Sequence, residues 1–259
     1  MKVILYSEKG RTFVEAAVRQ ALSVCRSSVG GWPDGNVSGF RTLNKGGRAG
    51  VAAVTVDGRT CCVKVFYDGR RLVKLRNRLG LSKARRAFRN GVELARRGVG
   101  CPAMLGYVVD PESGFALLVT ELSKHVRMDR WIEHNGAAPE AAQALGFFIR
   151  QMHDAGVTHK DLSLRNLLVR ETAGVYDFLL LDYEDTRFFS AVSEKQRLDN
   201  LHHLHERVIA AVPENIRRVF LAAYLNDENL ADPWCEKLNK LIAERPSKYT
   251  QAIKGEPDV

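Results

Sequence analysis

The chain has 259 residues, 45 % of them hydrophobic and 8 % aromatic, which excludes a disordered or low-complexity protein and leaves room for one fold of two lobes. Thirty-nine Lys and Arg against 30 Asp and Glu give a net charge of +9, a balance that favours anionic partners. No apolar run is long enough to span a bilayer, and the short run at Met1-Lys2-Val3-Ile4-Leu5-Tyr6 is closed by Glu8 and Lys9, so neither a membrane span nor a signal peptide is read and a cytoplasmic location is expected.

In chain order, residues 12–26 predict an amphipathic helix with Phe13, Ala16, Ala17 and Ala21 on its apolar side, followed by a Gly-Pro loop from Gly30. Residues 1–38 are read as an extension whose function is not legible. A first lobe is placed over 39–122. It opens with Lys45-Gly46-Gly47-Arg48-Ala49-Gly50, where Gly46, Gly47 and Gly50 would let backbone amides approach phosphates. The spacing is G-G-x-x-G, so by itself it also fits an ordinary glycine hairpin. A strand over 51–56 and an Asp57-Gly58 turn lead to Cys61-Cys62-Val63-Lys64-Val65-Phe66. A Lys inside such an apolar strand is costly without an anionic partner, and Lys64 fits the strand lysine that reaches the α- and β-phosphates of a nucleotide.

A helix is expected over 82–97, capped by Ser82 and stopped by Gly98. Its one acidic residue is Glu93. That residue either pairs with Lys64 or sits on the surface with Arg89 or Arg97, because the position where a partner for the strand lysine is expected, one turn earlier, is Asn90. Residues 115–121 read as the strand entering a hinge, with the backbone of Glu121 meeting an adenine edge and Leu122 and Ser123 following.

A second lobe is placed over 123–259. Short and long helices are expected at 128–134 and from Pro139, the latter ended by Asp154-Ala155-Gly156. Then comes His159-Lys160-Asp161, with Asn166 five residues beyond the Asp, a strand over 167–169, a turn at 171–174, a strand over 176–181, and Asp182 at its end. An Asp, an Asn at that spacing and a second Asp after a hairpin are the parts of a phosphoryl-transfer centre. Asp161 can take the proton of an oxygen nucleophile, while Asn166 and Asp182 can hold Mg2+. The alternative is that Asp161 and Asn166 are turn residues bonding their own backbone. His159 and His153 are read as structural, since Asp161 is the better base. Two terminal helices are expected at 214–224 and 233–243. His202, His203 and His205 cluster on a helix, with no Cys or His set nearby in sequence to complete a metal site. The five cysteines, Cys25, Cys61, Cys62, Cys101 and Cys235, are scattered and odd in number, which suggests reduced thiols.

With these parts placed, residues 39–208 resemble the lipopolysaccharide core kinases, the Kdo/heptose kinase family of Gram-negative bacteria. The resemblance rests on Val63-Lys64-Val65-Phe66, on Ser82 to Phe88 leading into Arg97-Gly98-Val99 and Pro102, and on the 159–169 loop. It rests also on Leu181-Asp182 with Arg187-Phe188, and on Arg197-Leu198-Asp199-Asn200-Leu201 with Leu204. It implies an α+β, protein-kinase-like fold of two lobes. It further implies ATP and Mg2+ as cofactors and phosphorylation of an inner-core sugar, heptose or Kdo. Asp161 would be the catalytic Asp, Asn166 and Asp182 the metal ligands, and Lys64 the phosphate lysine. Asp182-Tyr183-Glu184 departs from the family's wider superfamily pattern in lacking a glycine.

The short span from 183 to 196 leaves little chain for a peptide platform, which favours a compact or lipid-linked sugar acceptor. The basic residues gathered between Arg59 and Arg97 suit phosphorylated glycolipid and peripheral contact with an anionic inner-membrane surface. Nucleic acid is not favoured, because aromatics are not interleaved with the basic run. A protein or small-metabolite kinase and a non-catalytic pseudokinase stay open as alternatives.

Overall fold

The computed structural model describes residues 3–5, 10–28, 32–33, 37–46, 49–66, 81–110, 113–208 and 212–244, the side chains of Val3 and Arg207 excepted. The chain divides into two units: Met1–Arg96 with Pro102–Ser123, and Arg97–Cys101 with Lys124–Val259.

Among the described residues the first unit carries six strands: β1 (Val3–Leu5), β2 (Phe40–Lys45), β3 (Ala49–Val56), β4 (Arg59–Phe66), β5 (Met104–Val109) and β6 (Ala116–Glu121). They form one sheet in the order β1-β5-β6-β4-β3-β2, every neighbouring pair antiparallel. The β3–β4 hairpin closes through Asp57 (φ 48°) and Gly58 (φ 73°), the two left-handed residues that a tight hairpin turn needs to match strand twist. Helix α1 (Arg11–Ser27) buries Val14, Ala17, Val18, Ala21, Leu22 and Cys25. That is a stripe at i, i+3, i+4, i+7 spacing, and it packs with Ala52, Val54, Cys61, Val63 and Leu117 of the sheet in one apolar core. Residues 1–38, expected as an extension, thus contribute an edge strand and a core helix to this unit. Removing α1 would expose the sheet face it covers.

Helix α2 (Lys83–Arg96) starts where expected. Ser82 Oγ accepts from the Arg85 amide at 3.1 Å, satisfying one of the orphan donors of the first turn. Its buried face, Ala84, Ala87, Phe88, Gly91 and Leu94, lies on β5 and β6.

The second unit contains β7 (Val126–Arg127), α3 (Met128–Asn135), α4 (Pro139–Asp154), β8 (Val157–His159), β9 (Leu167–Thr172), β10 (Val175–Leu180), β11 (Thr186–Phe188), α5 (Glu194–Val208), α6 (Glu214–Leu225) and α7 (Ala231–Glu244). The strands form a three-stranded sheet, β10-β9-β7, and a two-stranded ribbon, β11-β8. The β9–β10 turn is two residues, Ala173 (φ 51°) and Gly174 (φ 78°), so both strands run closer to the turn than the apolar pattern indicated. Arg170, Glu171 and Thr172 are exposed. Their ladder bonds need no burial, so the end of the apolar run at Val169 does not end the strand.

Among the described residues no helix is long and apolar enough to cross a membrane. All five cysteines are free thiols. Cys61 is fully buried and Cys62 partly exposed, as adjacent strand residues on opposite faces should be. Burial pushes the Cys61 thiol up to about 12.

Candidate active site

In the second unit, α4 ends at Asp154, and Gly156 two residues on, with a φ of 75°, turns the chain into β8. β8 pairs with β11, which fixes His159 opposite Thr186. The His159 ring is buried, and its two nitrogens have different tasks. The Asp161 backbone N–H can only donate, and it faces His159 Nδ1 at 3.3 Å. Nδ1 therefore accepts, the proton sits on Nε2, and Nε2–H donates to the Asp182 carbonyl at 3.0 Å. One neutral imidazole thus ties the residue expected as the base to the residue expected as a metal ligand. It is consumed in doing so, in keeping with a structural role.

Asn166 lies in a 3-10 turn over Leu164–Asn166 and is buried. Its amide nitrogen donates to the Asp161 carbonyl at 2.8 Å and to Asp161 Oδ2 at 3.1 Å. With both donor bonds directed at Asp161, what the side chain can offer elsewhere is the oxygen Oδ1. The Asn166 carbonyl accepts from the Leu181 amide at 2.8 Å, which brings the end of the hairpin, and Asp182 with it, against the loop. Asp182 has φ 55° and ψ 49°. This left-handed conformation is uncommon for a residue with a Cβ, and such strain gathers at functional sites. Asp161, Asn166 and Asp182 are therefore parts of one hydrogen-bonded assembly. An amide oxygen and a carboxylate are hard oxygen donors, the kind that suits Mg2+.

Behind this assembly stands a buried network. Asn200 on α5 donates to the His159 carbonyl and accepts from the His159 amide at 3.2 Å. Its Oδ1 can only accept, so His153 Nε2 donates to it at 3.0 Å and His153 Nδ1 accepts from the Tyr224 hydroxyl at 2.7 Å. Arg197 donates to the same hydroxyl at 3.3 Å and to Asp154 at 2.6 Å. Burial pushes His153 down to about 4, a direction Arg197 reinforces against the opposing Asn200 hydrogen bond and Asp154 charge. In sequence, Asn200 stood only inside the Arg197-to-Leu201 motif. What could have marked it is an amide at an otherwise apolar spacing, between Leu198, Leu201 and Leu204.

In the first unit, Lys64 lies on β4 between Val51 of β3 and Leu118 of β6, half-buried, with Nζ 5.1 Å from the centre of the Phe66 ring. Gly46 follows β2, its amide donating to the Ala49 carbonyl at 2.9 Å; Gly47 lies outside the described residues. Gly50 has a packing reason of its own, since a Cβ there would sit 2.5 Å from the buried Trp32 ring. Glu93 receives a bidentate ion pair from Arg96, at 2.6 and 2.7 Å, and Asn90 lies one turn before it. Glu121 ends β6, and its amide donates to the Ala103 carbonyl at 2.9 Å.

The family model described as the lipopolysaccharide kinase (Kdo/WaaP) family matches residues 42–224. A Mus musculus protein, the EKC/KEOPS complex subunit Tp53rkb, is 25 % identical over 215 residues, which are 79 % of this chain and 86 % of that protein. A solved structure of WaaP in complex with acyl carrier protein superposes with a TM-score of 0.57 at 21 % identity, covering 93 % of this chain and 99 % of that one. At that identity the likeness speaks to fold, and it shows the kinase-like α+β fold expected from the sequence.

Proposed function

The chain belongs to the lipopolysaccharide kinase (Kdo/WaaP) family and is a kinase, and we propose that it transfers the γ-phosphoryl group of ATP to a hydroxyl of a heptose or Kdo sugar of the lipopolysaccharide inner core. The observation that carries this reading is the bonding of Asp161 to Asn166, with Asp182 held by His159. In this reading Asp161 accepts the proton of the sugar hydroxyl as the oxygen attacks, with the Asn166 amide fixing the carboxylate's orientation. Asn166 and Asp182 would hold Mg2+, which when bound supplies charge neutralisation for the phosphates. Lys64 is assigned to the α- and β-phosphates, Gly46, Gly47 and Gly50 to the loop beside them, and the backbone of Glu121 to the adenine edge. Glu93 is kept as the candidate partner for Lys64.

The segment after Asp182 supports a compact acceptor. It passes at once into a 3-10 turn over Tyr183–Asp185, the short strand β11 and then α5, leaving little chain for a peptide platform. The positive charge of the chain suits a phosphorylated glycolipid presented at an anionic membrane surface. A second reading, action on a protein, keeps its place because the likeness is not confined to lipopolysaccharide kinases: the similar mouse protein is named as an EKC/KEOPS complex subunit. Mass spectrometry of lipopolysaccharide from a strain lacking the gene separates the two. Loss of one core phosphate, restored by the wild-type gene and not by Asp161→Asn, supports the sugar reading. An unchanged core overturns it.

A further inference from the structure

Helix α5 carries a second group of chemically competent side chains outside the assembly described above. His202, His203 and Glu206 each offer a ligand atom, and these atoms all lie within 4.8 Å of one another. The sequence shows two of these residues as part of a histidine cluster. The third donor is a carboxylate, and it is found by helix geometry: at about 100° per residue, Glu206 points roughly 40° from His202 and 60° from His203, between the two imidazoles and one turn along. We propose that His202, His203 and Glu206 form a binding site for a transition-metal dication of the zinc class, with two imidazole nitrogens and one carboxylate oxygen as protein ligands.

Three observations support the site. The donor set is two nitrogens and one oxygen, the composition that zinc accepts with a fourth position left to water, and not the all-oxygen set of magnesium. His202 Nε2 is buried and makes no hydrogen bond among the described residues, although a buried polar atom is normally satisfied. Glu206 is only 4 % exposed, so its carboxylate lies out of bulk water, where attraction to a dication is screened least. His203 is exposed, which gives an ion a route from solvent. Two residues before His202 on the same helix stands Asn200, which bonds the backbone of His159. An ion at this site would therefore stiffen the helix that supports the catalytic loop, without touching that loop.

The test uses tag-free, metal-stripped, full-length protein titrated with Co2+ as a spectroscopic substitute and with Zn2+ as competitor. The expected result is one saturable site per chain in the micromolar range or tighter. Visible ligand-field bands should appear, with no sulfur-to-metal charge transfer, and Zn2+ should abolish them. His203→Ala removes an exposed side chain and leaves the fold intact by circular dichroism, yet should weaken binding at least tenfold. Glu206→Gln should do the same. Zn2+ should raise the melting temperature of the wild type by several degrees and leave His203→Ala unmoved. Absence of saturable binding, binding indifferent to His203→Ala, or a thiolate charge-transfer band would each overturn the site.

Discussion

Acidification from pH 8 to pH 5 should destabilise the second unit through His153. This histidine is fully buried, and its folded value is pushed from 6.5 down to about 4. Between those values the unfolded chain binds a proton that the folded chain refuses, so stability is intact above pH 6.5 and falls as the pH drops toward 4. At pH 5 the loss is about 2 kcal/mol, approaching about 3 kcal/mol below pH 4. The geometry explains the refusal. A proton on Nδ1 would face the Tyr224 hydroxyl, which already accepts from Arg197 and would lose its own acceptor. The carboxylates held low by their arginines, Asp110 and Asp129, lose their contribution only below their ordinary range and do not enter this window. Burial pushes His205 down as well, so the comparison must be between proteins. Urea unfolding of wild type and His153→Gln at pH 8, 6.5 and 5 gives the pH slope of each. The variant should lose about 2 kcal/mol of pH dependence between pH 8 and 5. Equal slopes in the two proteins would refute the assignment of the proton to His153.

Asp161→Asn should lower kcat by roughly 10²–10⁴-fold with ATP binding little changed, as read by steady-state kinetics and calorimetry. Lys64→Ala should weaken productive nucleotide positioning and lower kcat/KM for ATP, and unchanged kinetics would remove Lys64 from the site. Asn200→Ala strips partners from the His159 amide and carbonyl and from His153 Nε2. At about 1–3 kcal/mol for each buried group left unpaired, a loss on the order of 3 kcal/mol is expected in denaturant unfolding. Gly50→Ala presses a methyl group on the Trp32 ring and should cost about 1–3 kcal/mol by overpacking, measured as a lowered melting temperature.

Much of the fold was legible where the chain uses local signals. Ser82 and Gly98 bracket α2, Asp57-Gly58 turns β3 into β4, and Gly156 turns the chain after α4, each because a cap or a left-handed residue is a local requirement. Strands defined by long-range pairing were harder. β1 is three residues whose partner, β5, lies about 100 positions away, and β11 exists as a strand only through its pairing with β8. The apolar stripe of α1 likewise shows that one face is buried, while the sheet residues that it packs on are set by contacts distant in sequence. Within the candidate site, Asp161, Asn166 and Asp182 were visible because their spacing along the chain is fixed by the chemistry. The His153–Asn200–His159 network was not, because a hydrogen bond across 41 positions leaves no periodicity in a single sequence. Glu206 of the proposed metal site carries no signal of its own, because a lone carboxylate one turn along a helix reads as an ordinary solvated charge.

The most direct measurement is phosphate transfer to purified inner-core lipopolysaccharide from ATP radiolabelled at the γ-phosphate, in the presence of Mg2+, with wild-type and Asp161→Asn proteins side by side. Labelled glycolipid from the wild type, reduced at least about a hundredfold in the variant, is the predicted result. Equal labelling by the two proteins, or label appearing only in an added protein acceptor, would contradict the account.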